Sequence, residues 1–259
     1  PFGANAYGGT ARDINNAGQV VGGAYTAGFA ANHAYVYDTA NSSGTDIGAL
    51  IAGSTTSEAW SINDAGQMAG YYYTAANLQR AFVYDGSSVT TIATPGTGNA
   101  YATAINGAGQ VVGSYYTGAA YPNNEQRAFS FNGGVVTDLG ELLAAGNNVE
   151  ARGINDAGQI VGWADTLALG GQSAFLYQNG AMVDLNTLID PASGWTLVDA
   201  YAISNTGYIV GSALNYNGTV GAAVILTPAV LNPVPEPETY TLMLAGLGLV
   251  GFAVRRRIR

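Results

Sequence analysis

Five copies of one short pattern constrain this chain more than any other feature. They are "ARDINNAGQVVG" from Ala11, "AWSINDAGQMAG" from Ala59, "ATAINGAGQVVG" from Ala102, "ARGINDAGQIVG" from Ala151 and "AYAISNTGYIVG" from Ala200. Their leading alanines are spaced by 48, 43, 49 and 49 residues. A second signature trails each copy: "HAYVYD" from His33, "RAFVYDG" from Arg80, "RAFSFNGG" from Arg127, "SAFLYQNG" from Ser173 and the divergent "GAAVILTP" from Gly221. A self-similar period of this length, built of short segments, belongs to propeller blades or stacked arrays.

Each copy reads as four strands. Ala-x-x-Ile-Asn is the first. A turn such as "NDAG" at Asn63–Gly66 follows, because Asn and Asp bond their own backbone and Gly accepts positive φ. Gln-Val-Val-Gly with a Tyr-rich extension is the second strand, and "AFVYD" the third. "DG" or "NG" then turns the chain into the fourth, "VTDLG" around Asp138. In "AYVYD", Ala34 and Val36 face one way and Tyr35 and Tyr37 the other, so both faces are apolar. A two-layer sandwich alternates apolar with polar, whereas a blade is covered on both sides by its neighbours. The expected fold is all-β: a propeller of about five four-stranded blades over residues 1–228, with an open stack of hairpins as the alternative. The fifth copy ends at "VILTP" without a "TDLG" strand. The expectation is that a strand upstream of Pro1 completes that blade, leaving an unpaired edge near Val224.

Composition narrows the chemistry. The chain has no Cys, which removes thiolate nucleophiles, disulfides and Cys-ligated metals. All eight basic residues are Arg, and four of them, Arg255, Arg256, Arg257 and Arg259, close the chain. Residues 1–234 hold 15 acidic residues against four Arg, a net charge of −11, which disfavours nucleic acid and anionic lipid as partners. Hydrophobic content of 48% excludes a wholly disordered chain.

The last residues have a different character. Prolines 233, 235 and 237 forbid regular helix and favour an extended strip over residues 229–239. Residues 240–254 are apolar and read as a short transmembrane helix, which at ~1.5 Å per residue spans ~22 Å against a ~30 Å hydrocarbon core. Small residues Ala245, Gly246, Gly248 and Gly251 suit close helix approach. The arginines of residues 255–259 mark the cytoplasmic end and place the repeats outside. The competing reading, a buried C-terminal helix, sits poorly with four terminal arginines.

The repeats resemble the HAF repeat in His33-Ala34-Tyr35, Arg80-Ala81-Phe82, Arg127-Ala128-Phe129 and Ser173-Ala174-Phe175, with Gly221-Ala222-Ala223 furthest from the pattern. That family implies an extracellular repeat protein. The tail resembles the PEP-CTERM sorting signal: Pro235-Glu236-Pro237, the apolar stretch, then Arg255-Arg256-Arg257. The resemblance implies a secreted or cell-surface protein of a Gram-negative bacterium, anchored in the inner membrane until an exosortase processes it, and linked to exopolysaccharide and biofilm matrix.

Candidate chemistry is sparse. His33 is the single His, and its slot is filled elsewhere by Arg80, Arg127, Ser173 and Gly221, so it reads as structural. No phosphate loop, zinc signature or nucleophile elbow is present. Glu58, Glu150 and Asp199 share one position, just before the leading Ala. If the first strand lines the axis they form an acidic ring; a solvated strand start and a Ca²⁺ site, the only cofactor considered, are the other readings. Asp64 and Asp156 read as turn formers, and Glu125 and Glu141 stand in or near variable loops. Tyr71, Tyr72, Tyr73, Tyr115 and Tyr116 suit stacking on sugar rings or cross-strand packing. The leading expectation is a non-enzymatic surface or matrix protein that binds or organises exopolysaccharide. A polysaccharide hydrolase or lyase is the alternative, needing two carboxylates in one pocket, and a protein-adhesion module is a third reading.

Overall fold

The computed structural model describes residues 8–26, 30–118, 124–142, 148–166, 171–215 and 220–228. The transmembrane segment expected at 240–254, the Pro-Glu-Pro strip and the terminal arginines lie outside them. Among the described residues no helix is long and apolar enough to cross a membrane.

Five antiparallel sheets follow one another along the chain. Blade 1 is β1 (Gly9–Ile14), β2 (Gln19–Tyr25), β3 (Asn32–Asp38) and β4 (Ser43–Asp46). Blade 2 is β5 (Ser54–Ile62), β6 (Met68–Thr74), β7 (Gln79–Tyr84) and β8 (Val89–Thr91). Blade 3 is β9 (Ala100–Ile105), β10 (Val111–Tyr116), β11 (Gln126–Asn132) and β12 (Val135–Asp138). Blade 4 is β13 (Val149–Ile154), β14 (Ile160–Asp165), β15 (Gln172–Gln178) and β16 (Ala181–Asp184). Blade 5 has three strands among the described residues: β17 (Trp195–Ile203), β18 (Ile209–Asn215) and β19 (Gly221–Leu226). The outer edge of β19 carries no described strand, and the strand expected to complete this blade lies outside the described residues.

The cores lie between blades. Each blade has a leading face toward its predecessor and a trailing face toward its successor. The repeat assigns them: the Ala and Phe of Ala-Phe point opposite ways, as period-2 alternation requires. Ala34 on the trailing face of blade 1 meets Ile62 and Phe82 on the leading face of blade 2. Ala81 meets Ile105 and Phe129, Ala128 meets Ile154 and Phe175, and Ala174 meets Ala200 and Ile209 in turn. Phe82, Phe129 and Phe175 are fully buried in the same slot.

The Asn-x-x-Gly-Gln motif explains both the turns and the stacking. Gly18, Gly66, Gly109, Gly158 and Gly207 hold φ between +76° and +84°, the left-handed region open to Gly. The Asn before each turn accepts from its own turn, as in Gln67 N to Asn63 Oδ1 at 3.0 Å. Its Nδ2 then donates to the next blade: Asn15 to Asn63 O (3.0 Å), Asn63 to Asn106 O (2.9 Å), Asn106 to Asn155 O (3.0 Å) and Asn155 to Ser204 O (3.1 Å). One side chain thus closes a turn and rivets two blades. Asp64 and Asp156 add rungs to the same end, accepting from the backbone N–H of Asn16 and of Gly107.

The slot of the single His is a structural pairing position. His33 Nδ1 lies 2.9 Å from Asp46, and the same slot pairs Arg127 with Asp138 (3.3 Å) and Ser173 with Asp184 (2.6 Å). Thr91 replaces the Asp in blade 2, where Arg80 donates instead to the carbonyls of Gln79 (2.9 Å) and Gly98 (2.8 Å).

Candidate functional site

Every innermost strand carries a β-bulge just after the leading Ala, because the register with the second strand shifts there in all five blades. The bulged residues are Arg12, Trp60, Thr103, Arg152 and Tyr201. A bulge kinks the strand and re-aims its side chain. It also fixes the last Gly of the motif: a Cβ at Gly22, Gly70, Gly113, Gly162 or Gly211 would overlap the carbonyl oxygen of Thr10, Glu58, Tyr101, Glu150 or Asp199. The recurring Gly is thus the sequence trace of a bulge whose own residue varies from copy to copy.

The bulged side chains reach the next blade. Arg12 Nε donates to Glu58 at 2.8 Å, and Arg152 Nε lies 3.0 Å from Asp199. Trp60 meets Tyr101 with ring centroids 5.8 Å apart, and Thr103 Oγ1 donates to Ala151 O at 2.8 Å. Glu58 is nearly buried and accepts further from Trp60 Nε1 (3.2 Å) and Tyr71 OH (2.9 Å). Burial alone would raise its pKa, but the bonds from Arg12, Tyr71 and Trp60 prevail and hold it below the ordinary carboxylate value. Glu150 accepts from Trp163 Nε1 and Gln126 Nε2, each at 3.2 Å, and pairs with Arg152 at 3.1 Å. Asp199 moves the other way: burial, helped by the charge of Glu150, raises it despite Arg152.

The three carboxylates of the expected acidic ring therefore divide. Glu150 and Asp199 share Arg152, while Glu58 has its own set of donors around Arg12 and Trp60. Among the described residues no group of three or more His, Asp or Glu is placed to hold a metal ion. Glu125 and Glu141, together with Asp138, surround Arg127.

The five tyrosines also divide, by strand parity. Tyr72 and Tyr115 point into the inter-blade cores, with their hydroxyls bonded to Thr91 (2.9 Å) and Asp138 (2.7 Å), and offer no ring face. Tyr71, Tyr73 and Tyr116 lie on the other face and are half-buried. Trp60 and Tyr71 meet edge-on at 5.3 Å, as do Tyr71 and Tyr73 at 5.8 Å.

Tyr116 opens onto a pocket of about 430 Å³ at the seam of blades 2 and 3. Tyr101, Leu78 and the carboxamides of Gln79, Asn99 and Asn124 line it with Tyr116. Strand parity places both tyrosines there: Tyr101 pairs with Ser114, and Tyr116 lies two residues further along the same face. Gly98 and Gly118 keep the pocket open, since a Cβ at Gly98 would meet Tyr116 and one at Gly118 would meet Thr97. Asn99 Oδ1 accepts from Gln79 N (3.0 Å) and Asn124 Oδ1 from Gly118 N (3.1 Å), so each retains its Nδ2 as a donor. No carboxylate lines the pocket. Gln126 Nε2 stands behind it and donates to Tyr101 OH at 2.7 Å. Burial, chiefly, and nearby Glu150 hold the Tyr101 hydroxyl protonated far into the alkaline range. Sequence reading singled out Tyr116 but missed Tyr101, Gln79, Asn99 and Asn124, which lie outside the repeated motifs and meet only when two blades dock.

Comparison with known proteins bears on both parts of the chain. Residues 233–257 match the family model of the PEP-CTERM protein-sorting motif. No curated protein sequence matches the chain. The β-propeller domain of the Trilobed protease from Pyrococcus furiosus, described as having an open velcro topology, superposes with a TM-score of 0.56 at 10% identity, covering 86% of this chain and 68% of that one. A TolB-type protein from Agrobacterium tumefaciens superposes with a TM-score of 0.52 at 10% identity, over 85% and 81% of the two chains. At that identity the likeness is one of fold alone. The chain is thus an all-β protein of propeller architecture with about five blades, and its C-terminal segment carries the PEP-CTERM signal of an exosortase-processed, secreted or cell-surface protein of Gram-negative bacteria.

Proposed function

We propose that this is a non-enzymatic surface protein that binds a neutral stretch of exopolysaccharide in the seam pocket between blades 2 and 3. The observation that carries the reading is the lining of that pocket: two tyrosines and three carboxamides, with no carboxylate. Flat apolar faces flanked by amide donors match a sugar ring, which is apolar on its face and hydroxylated at its edge. Trp60, Tyr71 and Tyr73 continue the aromatic surface beside it. A volume of about 430 Å³ falls in the ~300–1,000 Å³ range of small-ligand sites and suits one or two sugar units. The carboxylates of the bulge layer are held by Arg, Trp, Tyr and Gln donors, an arrangement that favours binding over hydrolysis.

The sorting motif supplies the setting. Residues 240–254 anchor the protein in the inner membrane with Arg255, Arg256 and Arg257 on the cytoplasmic side, and processing near Pro235-Glu236-Pro237 releases it. The repeats are best read as HAF repeats. A glycan array probed with the chain and with its Tyr116→Ala variant tests the reading. Binding to neutral polysaccharides that falls at least tenfold in the variant is the expected result. Failure of every polysaccharide, or equal binding by both proteins, overturns it.

A further inference from the structure

The four inter-blade interfaces show what each blade face looks like when covered. At both ends of the series the same faces are bare. The leading-face Ile is 6%, 7% and 9% exposed at Ile62, Ile105 and Ile154, but 60% exposed at Ile14. The leading Ala is buried in blades 2 to 5 and exposed at Ala11. On the trailing side, Val161 is 0% exposed and its counterpart Val210 is 42%, while Leu176 is 8% and its counterpart Ile225 is 69%. Among the described residues Tyr201, the fifth bulged residue, has no following blade to reach, and it is half exposed.

We propose that these two faces are docking surfaces for one further blade of the same repeat, joined to the chain ahead of β1, which seats its trailing face on blade 1 and its leading face on blade 5. The asparagine ladder gives the occupant its chemistry. Each blade accepts a rung at its Asn carbonyl from the Asn Nδ2 of its predecessor, so the Asn15 carbonyl calls for a blade that carries that Asn. Blade 5 cannot supply it, because Ser204 stands in the position. A second copy of this chain stacked head-to-tail would therefore leave the rung unmade. Ser204 ends the ladder on the other side, so the seam between blade 5 and the added blade is made by apolar contact rather than by a rung. Charge narrows the choice further. Thr10, Ala11 and Ile14 on one face and Tyr201, Val210 and Ile225 on the other are uncharged, and burying an unpaired charge against them is costly. The occupant should therefore be uncharged beside its leading Ala, as blade 3 is with Tyr101 and Thr103.

The test fuses residues 96–148, a second copy of blade 3 with its following connection, directly ahead of Gly9. Asn106 of the added copy then lies 49 residues before Asn15, the spacing that separates Asn106 from Asn155 in the native ladder. The unmodified chain should be a monomer that binds the apolar dye ANS. The fusion should remain a monomer, lose most of the dye signal and melt several degrees higher. Ile14→Glu should lower the fusion's Tm by several degrees and that of the unmodified chain by less than one. An added blade that is rapidly proteolysed, with Ile14→Glu equal in both proteins, overturns the proposal. So does an unmodified chain that dimerises through Ile14 and Ile225, since a second copy would then be the occupant. Should the fusion prove insoluble, hydrogen exchange on the unmodified chain decides: β1 and β19 must exchange faster than β5 and β15, and equal protection would show the faces already covered.

Discussion

The turn end and the bulge layer of the same blades follow opposite rules. At the turns the repeat places nearly one residue set in every copy, and each Asn makes the same bonds to its own turn and to the next blade. In the bulge layer four residue types, at Arg12, Trp60, Thr103, Arg152 and Tyr201, occupy one position, and the first four of these residues make three kinds of contact across the seams: ion pairs, an aromatic contact and a hydroxyl-to-carbonyl bond. Uniform chemistry is what stacking needs, because each interface must repeat the last. Varied chemistry on a uniform backbone is where one blade can differ from another, and the pocket of Tyr101 and Tyr116 sits beside that layer.

The largest expected effect comes from the glycine that joins the two regions. Gly162→Ala would drive a Cβ into the Glu150 carbonyl oxygen, backbone against backbone. The bulge or the strand pairing must give way, at an expected cost of about 3–4 kcal/mol in urea unfolding. Gly221→Ala is the matched control, since its Cβ would meet only Leu214 Cδ2 at 3.9 Å, and it should change stability by less than ~0.5 kcal/mol. Equal effects at the two sites would remove the bulge as the reason for the motif glycine.

Next in size is the ladder. Asn106→Ala removes the acceptor for Ala108 N and Gln110 N and leaves the Asn155 carbonyl without its rung. Losing buried hydrogen bonds of this kind costs about 2–3 kcal/mol. Ser204→Ala, at the exposed end of the ladder, should cost less than ~0.5 kcal/mol. A difference below about 1 kcal/mol between the two would mean that the rungs are incidental to packing.

These two regions were not equally legible. The turns, the strand order and the two apolar faces follow from local rules that a sequence displays directly: Asn and Gly at turn positions, and period-2 alternation. The partner of each Asn does not, because it lies 43 to 49 residues away in the next blade. The bulge was hidden for a different reason. Its residues range over Arg, Trp, Thr and Tyr, and only the glycine opposite them is the same in all five copies, which a sequence reading takes as the end of a strand. Likewise Glu58, Glu150 and Asp199 were visibly equivalent, but the arginine that holds Glu150 stands two residues along its own strand, while those that hold Glu58 and Asp199 stand on another strand. For both Glu58 and Asp199 that strand belongs to the preceding blade. The pocket was least legible, since Gln79, Asn99 and Asn124 belong to segments that vary between copies.

The smallest effect sharpens the comparison within the bulge layer itself, where Glu58 and Asp199 hold equivalent positions yet titrate in opposite senses. Glu58 is held below its ordinary value, so its contribution is fully present above the unfolded pKa of ~4.3 and is lost as pH falls through the folded value. Glu58→Gln should therefore cost about 1 kcal/mol at pH 7, a modest figure because Arg12 is half exposed, and the gap to the parent should close on acidification. Asp199 is raised, so its contribution is complete below the unfolded pKa of ~3.9 and is lost as pH rises through the folded value. Asp199→Asn should gain on the parent as pH climbs from ~3 to ~6. Urea unfolding of the two variants across that range measures both slopes. Opposite signs would show that a blade's neighbours, three donors around Glu58 against one shared arginine at Asp199, set the charge of a position that is acidic in three of the five copies; parallel slopes would make the two positions alike.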